Sequence, residues 1–406
     1  MRSHASRDVL VLSLLPHPFA TRTRKAAEAY AGAGHRVRFL APQRAGRTVD
    51  EVEAGVVRHG GVVSHHVVVP RTDLGSSGGA QLRNALLSFL PALLRMIVVT
   101  LRSPADVVHV TGVPLVPVAM LHRARFGSRL IMDVNERPAS VTAKGSLFGT
   151  ISRFEPIVIR AAAPQASLVT VVAPGHAEIL RSTMGVRHAL VVRNAPLAEW
   201  RTEWVDQPEA PPLRVVTVGS LFPGRALELL IRAAAIARRE GTDLRVAIFG
   251  SGRPDYLQSL RDLIVSEGVE DIVSLEGRID SSQVSQTYTV GHVGLALYEG
   301  ADPGNDSLSN KIIETVASGR PVLAGDLPEN RAFITEFGVG WLTEVSAEAI
   351  AAALRNIASR SSRDDLQTLG QHCHAVAGES LTWESEFGKV LAAVDGFSVR
   401  RSRWGR

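Results

Sequence analysis

Short apolar runs alternate with longer amphipathic stretches along the whole chain. Runs of four to eight apolar residues bounded by Gly, Pro or Asp predict strands buried on both faces. The three-to-four-residue spacing of apolar positions between them predicts helices. In the first half the predicted strands are Val9–Leu15, Arg36–Leu40, Val62–Val69, Val107–Val110, Arg129–Met132, Leu168–Val172 and Leu190–Val192. A first helix is predicted from about Thr21 to Ala33, stopping at Gly34. The stretch from Asn194 to Pro212, NAPLAEWRTEWVDQPEAPP, has clustered prolines and no sustained period, and reads as a linker. The alternation restarts at Leu213 with LRVVTVGS and predicts strands at Leu244–Phe249, Ile272–Leu275, Val293–Leu297 and Pro321–Leu323. The expected architecture is α/β, with two doubly wound Rossmann-like domains facing across a cleft. Its parts are residues 1–195, a linker at 196–212, a second domain at 213–380, and a C-terminal helix (about Trp383 to Val394) with a basic tail at 381–406. A chain of 406 residues suits two cores better than one.

Composition narrows the partners. With 45% apolar and 21% charged residues the chain is globular, and a net charge of +5 favours anionic partners: nucleotides, anionic lipid or nucleic acid. No homeodomain, zinc-finger or RNP pattern accompanies the charge and aromatics are only 5%, so nucleic acid is not expected to bind. The single Cys373 excludes a disulfide framework and fits the reducing cytoplasm. His372 and His374 flank it, but ligands so close on a helix cannot all face one ion, and no metal site is expected. The apolar run after the N-terminus is short and meets Pro16-His17-Pro18, so it reads as a buried first strand rather than a signal peptide. His65 and His66 read as surface residues of a strand.

Leu82–Arg102 is apolar, yet Pro91 and Arg95 in its middle argue against a membrane-spanning helix. Two readings stand open for it. It is a core helix, or it lies peripherally on an anionic membrane surface with Arg83, Arg95 and Arg102 at the headgroups.

The chemistry concentrates in the second half. SNKIIETVASGRPVL, from Ser309 to Leu323, reads as a loop leading into a helix that stops at Gly319, followed by a strand from Pro321. Free amides at such a helix start, around Leu308, Ser309 and Asn310, attract phosphate. Lys311 adds charge, and Glu314 one turn inside is a natural acceptor for the vicinal hydroxyls of a ribose. A solvated Lys311–Glu314 pair at i,i+3 is the alternative. The loop after the strand at Leu213 contains Gly219, Pro223-Gly224 and Arg225, and it falls at the carboxyl end of a strand, where open α/β sheets bind ligands. Arg225 carries a bidentate fork suited to phosphate. The loop lacks the Lys-Ser or Lys-Thr of a Walker sequence.

The Gly219–Arg225 loop, taken with Asp306, Glu314 and Ser318-Gly319-Arg320-Pro321-Val322, resembles the family 4 glycosyltransferases with the GT-B fold. Phe249-Gly-Ser-Gly252, Leu275-Glu-Gly-Arg-Ile279, DVVHVTG around His109 and VVRNAP around Asn194 are similar to that family in the same order. The resemblance covers nearly the whole chain. It implies that Arg225 matches a loop Lys gripping the donor diphosphate, that Glu314 takes the ribose hydroxyls, and that Asp306 and His109 face the transferred sugar. It implies retention at the anomeric carbon, a nucleotide-sugar donor as co-substrate rather than a cofactor, and a glycan or lipid-linked acceptor on the N-terminal domain. Arg22 and Arg24, at the start of the first helix, and Asn135 and Glu136 are candidates on that acceptor side. No Asp-x-Asp occurs, which argues against a metal on the diphosphate. The chain departs from the family pattern at Ser220, often Arg, at Asp306, often Glu, and at Asn135, often His. A sugar-nucleotide epimerase of the same fold and a catalytically degenerate sugar-nucleotide-binding protein are the rival readings.

Overall fold

The computed structural model describes residues 6–14, 21–44, 56–59, 61–69, 94–135, 154–299 and 308–398. Two compact units divide the chain: Met1–Val192 with Phe387–Arg406, and Arg193–Glu386.

The first unit is built on an eight-stranded sheet. In chain order it comprises β1 (Asp8–Leu12), α1 (Thr21–Gly32), β2 (Arg36–Arg44), β3 (Val56–His59), β4 (Val62–Val69), α2 (94–101), β5 (Val107–Thr111), α3 (Val116–Phe126), β6 (Arg129–Val134), α4 (Glu155–Ala162), β7 (Leu168–Val171), α5 (Pro174–Met184) and β8 (Leu190–Val191). The strand order is β3-β4-β2-β1-β5-β6-β7-β8, with only β3 antiparallel to its neighbour. Leu10, Leu12, Val108, Val110, Leu130 and Met132 pack under Met96, Ala119, Ile159 and Leu180 of α2 to α5 in one buried core. The reversal of winding falls between β1 and β5, which pair from Val9↔Val107 to Leu12↔Val110. That pairing ends at Leu12, so β1 stops three residues before the apolar run predicts. The edge strand β3 was not predicted, because four residues including Arg58 and His59 carry too little apolar signal.

The second unit has an all-parallel six-stranded sheet in the order β11-β10-β9-β12-β13-β14. It runs β9 (Leu213–Val218), α6 (Leu227–Arg239), β10 (Leu244–Phe249), α7 (Pro254–Glu267), β11 (Val273–Gly277), α8 (Val284–Tyr288), β12 (Val293–Ala296), α9 (Asn310–Ala317), β13 (Val322–Gly325), α10 (Pro328–Phe337), β14 (Gly340–Thr343), α11 (Ala347–Arg360), α12 (Arg363–Ser380) and α13 (Trp383–Asp395). Here the winding reverses between β9 and β12, which pair at Val293↔Val215 and Gly294↔Val216. β14 was not predicted from sequence; its four residues start at Gly340, where an added Cβ would lie 2.0 Å from the Val322 carbonyl oxygen.

The segment read as a linker packs onto the second unit. Arg320, fully buried, donates to the carbonyl oxygens of Val205 and Asp206, and Gln207 bonds Leu366 and Gln367 of α12. Phe387, in α13, meets the Tyr30 ring edge-on at 5.1 Å, so the chain ends in the first unit rather than forming a separate C-terminal region. The basic tail from 399 lies outside the described residues.

Of the ambiguous Leu82–Arg102 stretch, residues 82–93 lie outside the described residues. In α2, Met96 and Thr100 are buried while Leu94 and Val98 are 54% and 45% exposed. Among the described residues no helix is long and apolar enough to cross a membrane.

Candidate functional site

In the second unit the reversal point brings three segments together: the loop after β9, the end of β12, and the start of α9. Strand β9 leads into Gly219, whose φ of 145° suits glycine, and a Cβ there would stand 3.2 Å from Lys311 Cε. Backbone follows just as closely on the other side. At Gly250, in the Phe249-Gly-Ser-Gly252 turn, a Cβ would fall 1.8 Å from the Gly219 carbonyl oxygen. The Leu221 amide donates to Ser251 O at 2.9 Å, and the Glu299 amide donates to Gly224 O at 3.0 Å. Ala226 then opens α6 with a left-handed φ of 54°. The loop that presents Phe222 and Arg225 is thus tied at both ends.

Arg225 is half-buried and lies between two rings, with its guanidinium carbon 4.3 Å from the Phe222 centroid and 4.7 Å from the Tyr298 centroid. Tyr298 leaves the end of β12, and its hydroxyl is 2.7 Å from Ser309 Oγ. Burial pushes the Tyr298 phenol up; Ser309 and Arg225 oppose the shift and Glu314 adds to it. Ser309 is the N-cap residue of α9, but its side chain turns to Tyr298 instead of capping the helix. First-turn amides of a helix have no intrahelical acceptor, so the N–H groups of Asn310 and Lys311 face the same space. Leu308 just before them is buried.

Lys311 is almost fully buried, and its ammonium donates to Thr217 Oγ1 at 3.0 Å. Burial, and next the charge of Arg225, lower its pKa to about 8, with Glu314 opposing them. Glu314 is partly exposed in the second turn of α9. It acts on Lys311, Tyr288 and Tyr298 alike, which puts its carboxylate in the same group. The predicted Gly219, Arg225, Leu308, Ser309, Asn310, Lys311 and Glu314 therefore converge. Asp306 lies outside the described residues.

The sequence reading missed Thr217, Phe222 and Tyr298. Thr217 is the one buried polar position in β9, and Tyr298 follows β12 at the winding reversal; both are signals of placement rather than of motif.

The candidates of the first unit sit differently. His109 lies inside β5, not beyond it, and is 2% exposed. Its Nδ1 is 3.1 Å from the Tyr30 hydroxyl and its ring stacks on Phe387 at 6.2 Å, while Nε2 is buried without a partner among the described residues. Burial lowers its pKa to about 4, against the pull of Asp133, so the imidazole is neutral at pH 7. Arg22 is no basic surface group: its Nε and Nη2 each donate at 2.9 Å to Asp133, which also accepts from Thr170 at 2.7 Å. Burial pushes the Asp133 carboxyl up, but the charge and hydrogen bonds of Arg22 outweigh it and hold the group below the usual carboxylate range. Arg24 pairs with Glu28 at 3.8 Å along α1, and Asn135 follows β6. Glu136 lies outside the described residues.

The Cys373 neighbourhood carries no metal chemistry of its own. Cys373 is buried, its thiol pushed up to about 12 by burial, and His372 Nε2 donates to Phe337 O. Among the described residues no group of three or more His, Cys, Asp or Glu side chains could hold an ion.

Comparison with known proteins follows the same division. Residues 19–196 match the family described as glycosyl transferase 4-like domain, and residues 212–360 match glycosyl transferases group 1. Over 140 residues the chain is 28% identical to the UDP-N-acetylglucosamine–peptide N-acetylglucosaminyltransferase GtfA subunit of Streptococcus pneumoniae; the match spans 34% of this chain but only 26% of that protein. Among solved structures, the sucrose-phosphate synthase of Thermosynechococcus elongatus superposes with a TM-score of 0.72 at 17% identity, covering 96% of this chain and 99% of that one. Anabaena HepE in complex with UDP and glucose gives 0.69 at 14% identity, covering 96% and 99%. At such identities the likeness is one of fold. With both halves of the chain matched in order and both sheets of the expected topology, the protein belongs to the GT-B glycosyltransferases, with a 4-like domain first and a group 1 domain second.

Proposed function

We propose that this protein transfers a sugar from a nucleoside-diphosphate sugar to a glycan or lipid-linked acceptor, with retention and without a metal. The observation that carries the reading is the convergence of Arg225, Lys311 and the start of α9 on one space at the winding reversal of the second unit. Cleaving the bond to the sugar leaves negative charge on the departing diphosphate. Two fixed cations and a helix N-terminus, already oriented in a partly desolvated site, stabilise that charge without reorganisation. Glu314 accepts from the ribose hydroxyls and sets the nucleotide's register along α9. The family resemblance assigns His109 and Asp306 to the transferred sugar, and the His109 imidazole is neutral at pH 7. The printed ligands of two structural neighbours, UDP with glucose and UDP-2-fluoro glucose, support a nucleotide-sugar donor.

The acceptor side is proposed to work at the cytoplasmic face of a membrane, in surface polysaccharide or glycolipid synthesis. The exposed Leu94 and Val98 beside Arg95 and Arg102 support this, since an apolar stripe rimmed by cations suits an anionic interface.

The test is a thermal-shift panel of UDP, GDP, ADP and dTDP. It is followed by donor turnover with and without membrane extract and with EDTA. Stabilisation by one nucleotide, extract-dependent release of it, and indifference to EDTA are the expected results. Release that needs no acceptor and yields an epimerised sugar would replace transfer by epimerisation, and loss of rate in EDTA would overturn the metal-free reading.

A further inference from the structure

Arg225 has a surrounding that its proposed role does not by itself require. Among the described residues no carboxylate pairs with it, yet its guanidinium is held between Phe222 and Tyr298. The two rings differ. Tyr298 is half-buried and fixed through its hydroxyl to Ser309, whereas Phe222 is 43% exposed, an unusual place for a phenylalanine. The backbone that carries Phe222 is anchored, through Leu221 to Ser251 and through Gly224 to Glu299.

We propose that Phe222 and Tyr298 are positioning residues that hold the Arg225 guanidinium against their rings, so that the donors not shared with the Tyr298 hydroxyl stay free for the donor diphosphate. The reasoning is geometric. A guanidinium is planar and carries its five donors in the plane, so ring contacts leave open the donors that the Tyr298 hydroxyl does not take. A carboxylate would hold the side chain as firmly, but it would consume the donors and cancel the charge. The clamp supplies order without neutralisation, which a phosphate-binding cation needs and an ordinary ion pair cannot give. It also makes Arg specific at position 225. An ammonium between two rings points N–H groups at the ring faces and keeps no bidentate edge, so Arg225→Lys recovers little where the rings are present.

This inference rests on the donor-site reading, and the experiment separates the two. Calorimetry with UDP, GDP, ADP, uridine and pyrophosphate is run on the wild type, Phe222→Ala, Phe222→Leu, Phe222→Tyr, Arg225→Ala and the Phe222→Ala/Arg225→Ala double variant. Loss of one ring is expected to weaken the best nucleoside diphosphate, and pyrophosphate where it is measurable, about tenfold. Phe222→Leu is expected to behave like Phe222→Ala, and Phe222→Tyr like the wild type, while the matching nucleoside is unaffected. In the Arg225→Ala background the Phe222→Ala change is expected to add nothing. If Arg225→Ala weakens nucleotide binding but Phe222→Ala does not, or if its effect persists undiminished without Arg225, the clamp is wrong and the donor site stands. If no nucleotide binds, or Arg225→Ala leaves binding unchanged, the donor-site reading falls and the clamp with it.

Discussion

The Lys311 ammonium ties nucleotide affinity to pH in a direction the structure specifies. Burial, and next the charge of Arg225, lower its pKa from 10.5 to about 8 against the opposing pull of Glu314. Tyr298, which faces the same space, is pushed up by burial and stays neutral through pH 9. A diphosphate is fully ionised above about pH 7, so its arrival favours the charged lysine and draws in a proton between about pH 8 and 9. Affinity for the nucleotide therefore falls as pH rises through 8. The limit is about tenfold per pH unit, or about 1.4 kcal/mol. Without nucleotide the trend reverses. Between about pH 8 and 10.5 the unfolded chain holds the proton that the folded chain has released, so this group's contribution to stability rises with pH, by about 3 kcal/mol across that window. Calorimetry in buffers of different ionisation enthalpy at pH 7, 8 and 9 measures the proton uptake, and denaturant titration measures the stability slope. Lys311→Met is expected to remove both dependences. A wild-type dissociation constant that is flat from pH 7.5 to 9, or the same slope in Lys311→Met, refutes the placement of this ammonium on the phosphates.

Glu314→Ala is expected to weaken nucleotide binding by about 1.5–3 kcal/mol with little change in unfolding midpoint, since charge-assisted bonds to ribose are lost; deoxyribose donors should already lack part of that effect. Gly250→Ala places a methyl against the Gly219 carbonyl oxygen at a left-handed φ of 154°, so urea denaturation should reveal a loss of more than about 2 kcal/mol. Asp133→Asn strips the counter-charge from buried Arg22 and is expected to cost about 3–5 kcal/mol, much of it restored in Asp133→Asn/Arg22→Met. Arg320→Met should cost several kcal/mol, about as much as a buried network, while the folded fraction binds nucleotide with unchanged affinity. An affinity loss there would extend the donor site to the segment that Arg320 holds.

Most of the strands were legible because parallel strands buried on both faces write themselves as apolar runs. Residues 9–12 and Val293–Ala296 are such runs, and helices are spaced between the strands. Short pieces escaped: β3 and β14 have four residues each and are defined by their neighbours rather than by their own pattern. At the site, glycine spacing and the Lys311–Glu314 helix face pointed to the residues that converge at the start of α9. The aromatic clamp stayed hidden because Phe222 and Tyr298 lie 76 positions apart and meet only where β9 and β12 pair. The basic start of α1 misled for a related reason. Charge in sequence says nothing about a counter-charge 111 positions away, and Asp133 turns Arg22 from a surface cation into part of a buried pair.

Arg225 and Arg320 show how the partners of one residue type separate function from framework. Arg320 is wholly buried and gives hydrogen bonds to five carbonyl oxygens, those of Gly291, Val205, Gly319, Asp206 and Thr289. Burial lowers its pKa to about 10, yet every edge of its fork is used, so it gathers strands and linker and has nothing left for a ligand. Its place in the Ser318-Gly319-Arg320-Pro321 sequence is explained by that framework alone. Arg225 has the opposite pattern: two rings lie against it, and among the described residues the Tyr298 hydroxyl is the one group that shares its donors. A guanidinium held by carbonyls is committed to the fold, while one held mainly by rings keeps most of its hydrogen-bonding capacity for an oxyanion that arrives from outside. The donor chemistry of this chain therefore depends less on how many cations the second unit carries than on which of them the fold leaves unspent.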